Sequence, residues 1–169
     1  MNSDRGLKKY IETDLKTKMV FLGGPRQSGK TTLAKSFIKT ERQYLNWDFL
    51  EDRSLIKQHK LDPTLKLIVL DEVHKYVRWR TLIKGFFDKY KNSLSFLVTG
   101  SARLDHFRKG GDSLQGRYHY YRLHPFSLGE IDSNFKRETT SGLLQFGGFP
   151  EPFLTKDETF YRRWQKERV

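Results

Sequence analysis

The 169-residue chain contains no cysteine. That excludes disulfides, thiolate metal sites and cysteine nucleophiles, and it fits a reducing compartment. No apolar run approaches the roughly 20 residues needed to span a bilayer, and residues 1–9 are polar and charged, with no signal-peptide core. The expected location is therefore cytoplasmic, without a membrane partner. Acidic side chains are scarce beside basic ones, 20 against 32, which leaves a net charge of +12. Cations release counterions from a phosphate backbone, so nucleic acid is a candidate partner. The cations are spread, however, from Lys8-Lys9 through Arg108-Lys109 to Arg162-Arg163, as on an ordinarily solvated surface. The five histidines show no metal-ligand spacing, so no zinc site is expected. Repeats, low-complexity segments and interdomain linkers are also missing, and the length suits one α/β core.

What is present is a complete phosphate-binding loop, Gly24-Pro25-Arg26-Gln27-Ser28-Gly29-Lys30-Thr31, followed by Thr32. Glycine at both ends lets the backbone take conformations closed to other residues and turn consecutive N–H groups towards phosphate oxygens. The flanks are those the loop needs. Met19-Val20-Phe21-Leu22 is a continuous apolar run, as in a strand covered on both faces, and Leu33, Ala34, Phe37 and Ile38 make one apolar face of a following helix. Lys30 would reach the β and γ phosphates, and Thr31 would place its hydroxyl on Mg²⁺. Nucleoside triphosphate binding is the leading reading.

Strand and helix patterns then alternate. Gln43 to Asp48 reads as a strand, Glu51 to Gln58 as a polar helix and Leu67-Ile68-Val69-Leu70 as a buried strand. Trp79, Leu82, Ile83, Phe86, Phe87 and Tyr90 follow at helical spacing, Leu94 to Val98 forms a fourth strand, and Tyr118 to Leu123 a fifth. Such alternation implies a mostly parallel five-stranded sheet with helices on both faces, and ligands in such sheets bind at the strands' carboxyl ends.

The other candidate groups fall at strand ends. Asp71-Glu72 directly follows the third strand, in the Walker B pattern with an added glutamate. Asp71 would hold Mg²⁺ and Glu72 would orient and deprotonate the attacking water, although two adjacent acids also suit a helix N-terminus. Ser101, after the fourth strand, suits hydrogen bonding to the γ phosphate or the lytic water, with Thr99 as the alternative. Arg117, before the fifth strand, would act as an arginine finger in cis or across a subunit boundary, in competition with Arg103 and Arg26. His74 would relay the state of the γ phosphate to the next helix, or simply pack.

Taken in order, the loop with Thr32-Leu33, Leu70-Asp71-Glu72-Val73-His74-Lys75 with Trp79, Val98-Thr99-Gly100-Ser101, Gly116-Arg117 with Leu123-His124-Pro125-Phe126-Ser127, and Gly147-Gly148-Phe149-Pro150-Glu151 resemble one family. It is the prokaryotic AAA-like ATPases, related to archaeal ATPases, of the additional-strand, catalytic-glutamate class of P-loop NTPases. The resemblance covers about Lys18 to Pro152 and implies an ATP-binding, ATP-hydrolysing module. Ser28 stands where members often carry an apolar residue. Members usually continue into a further C-terminal domain, so the expected organisation is an N-terminal extension (1–17), an ATPase domain (18–152) and the start of a C-terminal helical segment (153–169) of a longer protein. Two functions are carried forward. One is Mg²⁺-dependent ATP hydrolysis coupled to conformational change; the other is a nucleotide-dependent switch that turns over little and acts through nucleic acid, a protein partner or a homo-oligomer. A small-molecule kinase shares the loop but not the water-activating acid. No guanine-reading motif is present.

Overall fold

In the computed structural model, residues 5–101, 104, 114–131 and 137–167 are described. Arg103, Arg108 and Lys109 lie outside them. Five strands form one sheet: β1 (Met19–Gly23), β2 (Tyr44–Asn46), β3 (Leu67–Asp71), β4 (Ser95–Thr99) and β5 (Tyr118–Arg122), in the order β2-β3-β4-β1-β5. Every pairing is parallel. The expected parallel α/β sheet is thus present, and β4 is the additional strand, inserted between the loop's strand and the acid pair's strand.

Side chains alternate across a strand, so each buried strand feeds two cores. Met19, Phe21, Ile68, Leu70, Phe96 and Val98 point to one face, where α3 (Leu50–Lys57) adds Ile56 and α4 (Trp79–Tyr90) adds Trp79, Leu82, Ile83, Phe86 and Tyr90. Val20, Leu22, Val69 and Leu97 point to the other, covered by Leu33 and Ala34 of α2 (Lys30–Lys35) and by Ile11 of α1 (Lys8–Asp14) with Leu15 just after it. Both faces are covered, which is why these strands read as unbroken apolar runs.

Strand β2 covers only Tyr44–Asn46 of the run Gln43 to Asp48 read as a strand. Helix α2 stops at Lys35, because the Ser36 hydroxyl donates to the Leu33 carbonyl at 2.7 Å and competes with the next turn; Phe37 and Ile38 still pack against the second core. The N-terminal extension is itself structured. Leu7, Ile11 and Leu15 are spaced four apart among charged residues, a single narrow stripe that pins α1 to the sheet, with Ile11 fully buried.

After β5 the chain forms α5 (Leu128–Ile131), α6 (Arg137–Phe146), α7 (Pro150–Thr155) and α8 (Glu158–Lys166). The Asp157 carboxylate caps α8 by accepting from the Phe160 N–H at 2.6 Å. The helix lays Trp164 against Phe149, ring centroids 5.2 Å apart, and Tyr161 against Phe146 at 5.8 Å.

Candidate nucleotide site

The loop leaves β1 through Gly24, whose φ of +138° is open only to glycine, and enters α2 through Gly29 at φ +89°. A Cβ on Gly24 would lie 2.3 Å from the Leu123 carbonyl oxygen, because the Leu123 N–H is bonded to the Gly23 carbonyl at 2.8 Å and brings the post-β5 segment hard against the loop. The same segment meets the glycine pair near α7: Phe126 N–H donates to the Gly148 carbonyl at 2.6 Å, and a Cβ on Gly148 would be 2.3 Å from the Phe126 carbonyl. Ser28 is fully buried, and its hydroxyl donates to the Pro25 carbonyl at 2.9 Å, which satisfies a polar group at a position expected to be apolar. Lys30 donates through Nζ to the carbonyls of Gly24 (3.1 Å) and Pro25 (2.6 Å). Burial pushes its pKa down, opposed by the charges of Glu72 and Asp71.

Asp71 is almost fully buried, yet each oxygen accepts from a hydroxyl. Oδ2 takes Thr31 Oγ1 at 3.0 Å and the Tyr44 hydroxyl at 2.6 Å, and Oδ1 takes Thr99 Oγ1 at 2.5 Å. Loop, acid strand and β4 are therefore joined at one carboxylate. Tyr44 was read only as a strand residue; burial and its bond to Asp71 drive its pKa well up, so it remains a donor. Thr31 and Asp71 present hard oxygen donors side by side, the kind Mg²⁺ takes when phosphate and water complete its shell.

Glu72 leaves β3 in the left-handed region, φ +58°, with its N–H bonded to the Thr99 carbonyl at 3.1 Å. Its carboxylate does not cap the following 3-10 turn (Val73–Lys75), as the alternative reading of two adjacent acids would have it. Oε2 instead lies 3.3 Å from Lys75 Nζ and 3.9 Å from His74 Nε2. Lys75 also holds Asp48 at 2.5 Å, and that bond raises its pKa, outweighing the burial that lowers it. Ser101 Oγ lies 3.3 Å from the same His74 nitrogen, so the two hydroxyls named for one role diverge: Thr99 serves Asp71 and Ser101 faces His74. The His74 ring is pressed onto the backbone, since a Cβ on Gly100 would be 2.5 Å from Nδ1.

A cleft of about 400 Å³ is lined by Arg26, Gln27, Gly29, Lys30, Thr31, Thr32, Glu72, Pro150 and Glu151. It brings Arg26, Gln27, Gly29, Lys30, Thr31 and Thr32 together with Glu72 and adds Pro150 and Glu151, whereas Gly24, Pro25, Ser28, Asp71 and Ser101 do not line it. Arg117 is elsewhere. It precedes Tyr118, which pairs with Met19 at the start of β1, whereas the loop follows Gly23 at its end; five strand residues separate the two by about 16 Å. Its Nε donates to Asp88 Oδ1 at 3.1 Å. Of the two placements left open for an arginine finger, in cis or across a subunit boundary, this position is remote from the first. Among the described residues, no helix is long and apolar enough to cross a membrane.

Uncharacterized proteins of Mycobacterium bovis and Mycobacterium tuberculosis are each 26% identical to this chain over 153 residues, 87% of its length. The chain spans only about a third of those relatives, 33% of each. Among solved structures it is similar to a DNA polymerase III gamma subunit-related protein from Thermotoga maritima, with TM-score 0.48 and 13% identity, over 93% of this chain and 55% of that one. The sequence profile described as "AAA domain" matches residues 16–132, well over half of the chain. With β1, the phosphate loop, β3, Asp71-Glu72, β4 and β5 all inside that match, the protein belongs to the AAA domain family of AAA-like ATPases.

Proposed function

We propose that the protein binds ATP with Mg²⁺ and hydrolyses it, coupling turnover to a conformational change. The observation that carries this reading is the hydrogen bond from Thr31 to Asp71, with Glu72 following Asp71 at the end of β3 and lining one cleft with Lys30 and Thr31. Backbone N–H groups from Ser28 onwards and Lys30 bind the phosphates. Lys30 then exchanges the loop carbonyls for phosphate oxygens, which are better partners for a desolvated ammonium. Thr31 and Asp71 would hold Mg²⁺, which when bound would neutralise charge at the phosphates. Glu72 takes the proton of the attacking water, and Ser101 senses the γ phosphate, with His74 between it and Glu72. The test is steady-state phosphate release from ATP by the purified protein, with and without chelator. Turnover that stops when Mg²⁺ is removed supports the proposal, and tight nucleotide binding without turnover transfers it to the switch reading.

For Arg117 we infer the subunit-crossing form of the finger, a reading supported by its place at the end of the sheet away from the loop. Arg117→Ala then lowers turnover, and mixing that variant with Glu72→Gln regains part of it, because each copy supplies the group the other lacks. An Arg117→Ala protein with full activity would remove the residue from the reaction.

A second reading, a nucleotide-dependent binding module for nucleic acid, is favoured by one feature. Lys18, Lys66 and Lys91 precede β1, β3 and β4, at the end of the sheet opposite the loop, while Asp14, Asp62 and Asp88 near the same end accept from Tyr121, Arg42 and Arg117. Single-stranded and duplex DNA titrated across a salt series should bind with affinity that falls as salt rises. Replacing the three lysines by glutamine should lower the slope of log affinity against log salt by about 2–3. An unchanged slope rules this end out.

A further inference from the structure

Outside the AAA domain match, the N-terminal segment carries a charge into the back of the phosphate loop. Arg5, only 7% exposed, precedes α1. Its guanidinium donates through one terminal nitrogen to the Ser28 carbonyl at 3.1 Å, through the other to the His124 carbonyl, and through Nε to Glu130 Oε1 at 3.0 Å; the group lies 4.7 Å from the centre of the Phe126 ring. Four contacts thus join the loop, the post-β5 segment and α5. Burial alone pushes the Glu130 carboxyl up, but the Ser127 N–H and Arg5 more than offset it, so its pKa lies below the usual value and it faces Arg5 as an anion.

The Ser28 contact matters because a trans peptide is planar, with its C=O and N–H pointing in opposite directions. Drawing the Ser28 carbonyl towards Arg5 therefore turns the Gly29 N–H away from it. Gly29 sits at φ +89° with no side chain to hold it, so nothing in its own chemistry prevents this peptide from flipping. A flip would present a carbonyl where an anion expects a donor. The side chain nearest to where a Gly29 Cβ would stand is Arg5 itself, its terminal nitrogen 3.7 Å away, equalled by Pro150.

We propose that Arg5 is a positioning residue of the nucleotide site: it locks the Ser28–Gly29 peptide with its N–H towards the phosphates and places a buried positive charge behind them. This rests on the loop being a nucleotide site, and extends that site to a segment ahead of the first strand. The fork of a guanidinium is required, since a lysine cannot hold two carbonyls and a carboxylate in one plane.

The test compares Arg5→Met, Glu130→Gln and the double variant Arg5→Met/Glu130→Met for ADP affinity, thermal midpoint and the Gly29 amide resonance in glycine-labelled protein. In Arg5→Met, ADP affinity should fall about tenfold or more, the worth of a charge-assisted hydrogen bond. Glu130→Gln should lose thermal stability yet keep affinity within about twofold, because Ser28 remains bound. The double variant, relieved of the lone buried carboxylate, should regain stability without regaining affinity, which also covers an Arg5→Met protein that does not fold. The Gly29 resonance should shift on adding ADP in wild type and Glu130→Gln but not without Arg5. Affinity that follows stability in parallel through the series, or a folded protein without Arg5 that binds ADP as wild type does, overturns the proposal. A wild type that binds no ADP would instead overturn the nucleotide site itself.

Discussion

Exchanging Glu72 for glutamine lowers maximal ATP turnover by about 10²–10⁴-fold, the usual worth of a general base, and leaves ATP affinity close to wild type. The substitution keeps size and shape. Glutamine can still orient a water but cannot take its proton. Glu72 makes no bond to the loop: its backbone N–H goes to the Thr99 carbonyl and its carboxylate to Lys75 and His74, so the phosphate-binding groups stay in place. The ion pair with Lys75 is partly exposed and contributes about 1 kcal/mol or less, so stability changes little. Phosphate-release kinetics beside equilibrium binding of a fluorescent ATP analogue separate the two effects. A rate within twofold of wild type would take Glu72 out of the chemistry, and lost binding would make it a ligand instead.

The second large effect belongs to Gly24→Ala. An added methyl group would sit 2.3 Å from the Leu123 carbonyl, which is backbone and cannot rotate aside, and φ +138° is itself closed to alanine. Strain of order 1–3 kcal/mol from the dihedral and a similar amount from overpacking amount to about 4 kcal/mol. In a domain of this length that corresponds to a melting point lower by about 8–16 °C. Nucleotide binding should be lost even below the new midpoint, because relief of the clash moves the loop off the post-β5 segment. Calorimetry and ADP titration check both parts. By contrast, alanine at Gly116 meets no neighbour within 4 Å among the described residues, and its strain there comes from a φ of +78°, so it should cost far less.

The sheet and the loop were legible because their signals are local and dense. Met19 to Leu22 and Leu67 to Leu70 are unbroken apolar runs, and a strand buried on both faces can be little else at that length. The glycines of the loop announce backbone angles, and Asp71-Glu72 follows its strand without a gap. What escaped were groups whose meaning depends on contacts far along the chain. Tyr44 reads as a β-strand aromatic until β2 pairs with β3 and brings its hydroxyl to Asp71. Arg5 is one arginine among many in a basic chain, and only burial against Ser28, His124 and Glu130, up to 125 residues away, distinguishes it. Arg117 reads as a residue just before the fifth strand, and its distance from the loop follows only once β5 is seen to pair parallel to β1 with Tyr118 opposite Met19.

The position of β1 between β4 and β5 also bears on when the protein becomes competent during synthesis. Its two partners lie about 75 and 100 residues downstream, and a strand without neighbours has little to hold it. The loop therefore leaves the ribosome well before the residues that give it its final shape, since Gly24 has no wall until Leu123 emerges and Arg5 no second carbonyl until His124 does. Pairing over such separations is slow. A nascent chain halted before β5 would carry the entire phosphate-loop sequence and still not bind nucleotide, so the fold itself delays ligand capture until the sheet has closed.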